Sequence, residues 1–141
     1  MSTEENKAAV RRFAQQVISQ GDMAAFDELV SPAYVERTPS PGGGTDRDSF
    51  RRELEGLHAA FPDLKSDEED LVAEGDKVVY RGTLSGTHRG EFFGIPPTGR
   101  SFRISEFHVN RLEDGRLVEH WGIFDSLGLM QQLGVIPPQG G

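Results

Sequence analysis

The sequence predicts one α+β domain, in which N-terminal helices pack over a curved antiparallel sheet and enclose an apolar pocket. Three observations carry this. Apolar residues recur at helical spacing as far as Phe61, the period changes to strand alternation after Pro62, and two glycine-containing turns split the second half into hairpins. A length of 141 residues suits a single domain over 1–141, whose tail, 136–141, is expected to be disordered.

The elements follow in order. Ser2 and Glu5 have capping-box spacing, and Val10, Phe13, Ala14, Val17 and Ile18 form one helical stripe that Gly21 ends. Asp22 caps a second helix carrying Phe26, Leu29 and Val30, stopped by Pro32. An extended piece, 33–38, leads into PSPGGG, and Thr45 and Asp48 mark a third helix with Phe50, Leu54, Leu57 and Phe61 on one side. Residues 64–74 and 77–87 read as strands joined at Gly75-Asp76, a turn that sets Asp70 opposite Arg81. Residues 101–112 and 116–125 pair around Asp114-Gly115, and 126–133 form a short last helix. Between the hairpins, THRGEFFGIPPTGR carries Phe92, Phe93 and Ile95, a trio too apolar to lie together in water.

Composition excludes several functions. A net charge of −8 repels nucleic acid and anionic membranes. The absence of cysteine removes disulfides, thiolate nucleophiles and cysteine-ligated zinc. The four histidines lack HxH or HxxxH spacing, so no metal site is expected. Nor do the glycines of GTHRGEFFG follow a phosphate-loop or dinucleotide pattern. Without a signal peptide or an apolar run of membrane-spanning length, the expected location is the cytoplasm.

The chemistry concentrates in the last hairpin. Asp125 ends the run HWGIFD, beside Trp121, Ile123 and Phe124. A carboxylate against buried aromatic surface exchanges protons nearer neutral pH than a solvated one. A two-residue turn at Asp114-Gly115 sets His108 opposite Trp121, Glu106 opposite Ile123 and Ile104 opposite Asp125. Glu106, His108, Trp121 and Asp125 then share one face of the sheet, and Phe107, Val109, Val118 and Phe124 the other. A bulge would shift this pairing. His120 falls on the second face, as a structural residue, and His58 on the surface. The competing role for Asp125, just before Ser126-Leu127-Gly128, is a helix N-cap.

The strings FPDL (61–64), EGDKV (74–78), GTHRGEFFGIPPTGR (86–100), R…DG…VEHW…D (111–125) and QQLG (131–134) make the chain resemble the SnoaL-like polyketide cyclases, of the nuclear-transport-factor-2-like superfamily. The resemblance implies a cone-shaped α+β barrel with a deep apolar pocket, no cofactor, and a homo-oligomer, dimer or tetramer. It also implies an intramolecular aldol condensation that closes a ring of a polyketide ester, a small hydrophobic carbonyl substrate. Asp125 would be the general acid/base, His108 or His88 would polarise the enolate, and Trp121 would pack on the flat substrate. Glu106, Phe92, Tyr80 and Arg37 complete the expected substrate-binding set. Arg37, in YVERTP, stands where many relatives carry histidine in YVDHxP; it cannot serve as a base but can hold an anionic group. A non-catalytic ligand-binding protein and an isomerase or epoxide-hydrolase-like enzyme are the alternatives on this scaffold.

Overall fold

The computed structural model describes residues 1–137. Helix α1 (Thr3–Arg12) starts in a complete capping box: the Ser2 hydroxyl accepts from the Glu5 N–H at 3.1 Å, and the Glu5 carboxylate accepts from the Ser2 N–H at 3.3 Å. The helix runs on into a π-helical turn (Phe13–Ile18), and the chain reverses at Gly21, whose φ of 67° favours glycine. Helix α2 (Met23–Leu29) is capped by Asp22 and gives way to strand β1 (Val30–Glu36). Pro32 lies within this edge strand, inside the irregular stretch between Val30 and Val35 where its missing N–H interrupts no ladder. Helix α3 (Arg47–Ala60) is capped one residue beyond the expected Thr45, by Asp46, which accepts from the Ser49 N–H at 2.8 Å.

His58, expected on the surface, instead ties two elements together. Its Nδ1 and Nε2 each lie 2.8 Å from a carbonyl oxygen, those of Leu54 and Ile18. This contact joins the end of α3 to the π-helical turn, and both elements roof the sheet.

The sheet contains β1, β2 (Lys65–Glu74), β3 (Lys77–Thr87), β4 (Ser101–Glu113) and β5 (Arg116–Phe124), in the order β1-β5-β4-β3-β2. The three pairings among β2 to β5 are antiparallel, but β1 runs parallel to β5. The sheet is therefore mixed rather than wholly antiparallel, and it stays open, with β1 and β2 as edges, rather than closing into a barrel. Asp70 does face Arg81, and their side chains form an ion pair at 2.6 Å.

The last hairpin departs from expectation in one place. Asp114 (φ 51°) and Gly115 (φ 75°) form the two-residue turn, with Glu113 opposite Arg116. Leu112 then pairs with Leu117, but Arg111 pairs with Glu119, so Val118 is an extra residue in β5. Leu117 and Val118 are adjacent, apolar and both buried, and Leu117 joins the cluster around Val17 and Val78; the extra residue makes a β-bulge. Beyond it every pairing shifts by one. Val109 faces Trp121, His108 faces Gly122, and Asn110 faces His120.

Two apolar clusters hold the layers together. One centres on Val17, Phe26, Tyr34, Val78 and Leu117, the other on Phe61, Phe92, Phe102, Leu129 and Leu133. Helix α4 (Ser126–Gln132) joins the second cluster, and the Gln132 side chain clamps it to the Arg103 backbone at 2.7 and 3.1 Å. Of the apolar trio in the long connection, Phe92 is buried and Ile95 half-buried, whereas Phe93 is 63% exposed on a left-handed turn residue (φ 47°). Ile136 and Pro137 have no regular secondary structure; 138–141, the rest of the expected disordered tail, lie outside the described residues. Among the described residues no helix is long and apolar enough to cross a membrane.

Candidate active site

Between the helices and the concave face of the sheet lies a cavity of about 170 Å³. Its roof is apolar: Val10 from α1, Phe13 and Ile18 from the π-helical turn, and Phe50, Leu54 and Leu57 from α3. Its floor carries a polar strip produced by strand alternation. Tyr34, Glu36 and then Thr38 point inward from β1 and its extension, Glu106, His108 and Asn110 from β4, and His120 from β5 beyond the bulge.

These side chains form one continuous hydrogen-bonded chain. Glu36 meets His120 Nδ1 at 2.8 Å, His120 Nε2 meets His108 Nδ1 at 2.8 Å, and His108 Nε2 meets Glu106 Oε1 at 2.7 Å. Ser66 Oγ donates to Glu106 Oε2 at 2.9 Å. Because that uses the serine's one hydrogen, the 2.7 Å contact between Ser66 Oγ and Tyr80 Oη must be a donation from the tyrosine.

The two ends differ. Glu36 accepts from four donors: Tyr34 Oη at 2.9 Å, Thr38 N and Oγ1 at 3.1 Å each, and His120 Nδ1. Burial acts to raise its pKa, but the hydrogen bond and charge of His120, with the bonds from Thr38 and Tyr34, outweigh burial and hold the carboxyl below its ordinary value. Glu36 is thus an ionised anchor that fixes a proton on His120 Nδ1. Glu106 accepts only from Ser66 and His108 among the described residues, which leaves lone pairs free. Burial, with the nearby charge of Glu106, pushes the Tyr80 hydroxyl up to about 12; burial and Glu36 push Tyr34 up still further. Both remain phenols.

Counting protons defines what the strip can do. The three links from Glu36 to Glu106 each need one proton, and two neutral imidazoles carry two between them. The third proton makes either one imidazole cationic or Glu106 a carboxylic acid. These arrangements share one proton inventory and differ only by short hops along the chain. Such a chain can take a proton at one atom and return it at another. The His108 side chain, 26% exposed against 6% for Glu106, is the part open to a ligand. Every ring nitrogen of the two histidines is engaged, so holding a metal would mean dismantling the chain. Among the described residues no group of three or more acidic or histidine side chains is arranged to hold one.

The expected site residues divide sharply. Glu106, His108, Tyr80 and Phe92 line the cavity. Asp125 does not: the shifted register removes it from the shared face, and its exposed carboxylate caps α4, accepting from the Gly128 N–H at 2.8 Å. Trp121 turns outward on the same shift, with Lys77 lying 5.5 Å over its ring. Arg37 also points outward, pairing with Glu119 at 2.6 Å, because strand alternation sends its neighbour Glu36 inside. His88 is fully buried, but under the long connection between Phe61 and Phe92 rather than on the cavity wall. Its Nδ1 accepts from the Thr98 N–H at 3.2 Å.

His120, assigned to the other face, is central, and Phe124, also assigned there, lines the cavity. Glu36, Ser66 and Asn110 were not singled out from the sequence. The alternation Tyr34-Glu36-Thr38, polar or aromatic at every second position, was the available signal for Glu36. Beyond Phe124 the cavity meets an outer pocket of about 420 Å³, bordered by the glycine loop 41–44, Arg52 and Phe93.

Comparison with known proteins agrees with this architecture. The model of the SnoaL-like polyketide cyclases matches residues 8–133. The aklanonic acid methyl ester cyclase DnrD of Streptomyces peucetius is 32% identical over 80% of this chain and 78% of its own length. The nogalonic acid methyl ester cyclase of Streptomyces nogalater is 32% identical, over 77% of this chain and 82% of its own. Among solved structures, TsrD from Streptomyces laurentii superposes with a TM-score of 0.86 at 31% identity, covering 96% of this chain and 99% of TsrD. With the family model spanning nearly its whole length, the chain belongs to the SnoaL-like polyketide cyclase family.

Proposed function

We propose that this chain is an enzyme that closes a ring of a polyketide ester by intramolecular aldol condensation, using its own side chains for proton transfer. The observation that carries the reading is the Glu36–His120–His108–Glu106 chain in the floor of an apolar cavity. Its relatives include two named methyl ester cyclases, and an apolar cavity with one polar strip suits a flat substrate with a few carbonyl groups.

In this mechanism a free lone pair of the Glu106 carboxylate, ionised while one imidazole of the chain is cationic, takes a proton from the carbon between two carbonyl groups. The resulting enolate carbon attacks a ketone carbon of the same molecule, forming the ring C–C bond as the ketone π electrons move to oxygen. The chain returns its proton to that oxygen as a hydroxyl. No proton is gained or lost overall and the ester is unchanged. Ser66 and Tyr80 orient Glu106, while Glu36 holds His120 and through it His108. Phe50, Phe61 and Phe92 take the packing role expected of Trp121. Asp125 is assigned to capping α4.

The test is turnover of a methyl ester of an aromatic polyketide bearing a 1,3-dicarbonyl side chain, followed by chromatography and NMR of the product. Ring closure by the wild type and its loss in His108→Ala support the reading. A bound but unconsumed ester would favour a ligand-binding protein.

The outward face of the sheet supports self-association. Ile123 is 68% and Phe107 47% exposed, beside Val79, Val109 and Trp121, an apolar patch of the kind that marks an interface. We assign this face to contact between copies of the chain.

A further inference from the structure

Gly122 sits inside β5, directly opposite His108. It is in no turn and its φ is not left-handed, so the backbone does not call for glycine there. Glycine inside a strand weakens the strand, and commonly marks a place where another group approaches closely. Here the group is identifiable. A Cβ on Gly122 would fall 2.5 Å from His108 Nδ1, 2.6 Å from His120 Cε1 and 2.7 Å from His120 Nε2. Those two nitrogens are the ones that meet each other at 2.8 Å.

We infer that Gly122 is the positioning residue of the proton chain: its missing side chain is the space in which His120 reaches across to His108 so that the two rings share one proton. This rests on the reading of the strip as proton-transferring machinery. The shared proton is essential to the contact, since without it two lone pairs would face each other at 2.8 Å and the rings would part. Gly122 also secures the other side of the chain. Its N–H donates to Thr38 Oγ1 at 2.8 Å, and Thr38 in turn donates to Glu36. All three atoms that a Cβ would meet belong to the ends of side chains, not to backbone. Alanine at 122 should therefore separate the rings and leave the strand in place.

The experiment is Gly122→Ala, read by NMR of the ring nitrogens without substrate and by steady-state kinetics with the polyketide ester. The wild type should show a deshielded N–H proton coupled to a ring nitrogen of one histidine and close to the other. The variant should stay folded by circular dichroism, lose that signal, and lose kcat by about 10²-fold with KM changed by less than about threefold. In a His120→Ala background, where no ring remains to be shared, the same substitution should cost less than about threefold more. Survival of the signal in Gly122→Ala, or an equal loss in both backgrounds, would overturn the inference. If Gly122→Ala does not fold, Gly122→Ala/His108→Ala/His120→Ala should restore folding by removing both rings that the Cβ would meet; failure of that triple variant to fold would equally overturn it. A signal present in the wild type and lost in the variant, with neither turning over the ester, would leave this inference standing and remove the proposed function instead.

Discussion

Replacing Glu36 by alanine should destabilise the protein by about 3 kcal/mol, and the figure follows from what the carboxylate touches. Tyr34 is buried, so its hydroxyl would be left without an acceptor, at about 1–3 kcal/mol. His120 Nδ1 would lose a charged acceptor, a bond of about 1.5–3 kcal/mol, but water entering from the cavity replaces part of it because the ring is 15% exposed. The Thr38 donors lie at the cavity edge and rehydrate more easily. The sum corresponds to a fall in Tm of about 10 °C for a chain of this size. Glu36→Gln should cost nearer 1 kcal/mol. Its oxygen can keep the Thr38 bonds, while its NH2 faces a Tyr34 hydroxyl that can rotate and a His120 that can exchange tautomers.

The pH dependence supplies an independent check. Glu36 is held below its ordinary value of 4.5, so its contribution is complete above that value and is lost as pH falls through the native one. Both variants should therefore show a flatter acid limb than the wild type. Urea unfolding followed by far-ultraviolet circular dichroism from pH 7 to pH 3 measures both effects. An alanine variant within about 0.5 kcal/mol of wild type, a difference typical of surface changes, would show that the four-donor network is not what orders this end of the chain.

Three further outcomes follow. His108→Ala should lower kcat by about 10²–10⁴-fold, whereas Asp125→Asn should stay within about threefold of wild type and keep its stability, since asparagine caps helices as well as aspartate. A large loss in Asp125→Asn would return the acid/base role to that residue. Tyr80→Phe should lower kcat without changing the shape of the rate profile between pH 6 and pH 9, because a hydroxyl pushed up to about 12 does not ionise in that range; a profile that loses a limb would contradict it. Ile123→Lys should shift the protein to a smaller species in analytical ultracentrifugation, and an unchanged sedimentation profile would clear the outer face of the role assigned to it.

The local features were legible because their causes lie within a few residues. Ser2 with Glu5, Asp22 before α2, and Asp114-Gly115 in a left-handed turn each depend on backbone groups adjacent in sequence. The site was half legible for the same reason. Glu106 and His108 share a face wherever β4 lies, because strand alternation is a property of β4 alone.

What faced them was decided elsewhere. The bulge at Val118 lies where β5 pairs with β4 on one side and β1 on the other, and it moved β5 by one residue. A shift of one residue exchanges the two faces of a strand, so His120 came in and Trp121 went out. Glu36 then completed the chain from 84 residues away. From the sequence alone came the α+β architecture, its turns and caps, and the cavity side of β4. The partners of His108 were set only in three dimensions, because register is settled by the burial of a whole face rather than by any residue in it.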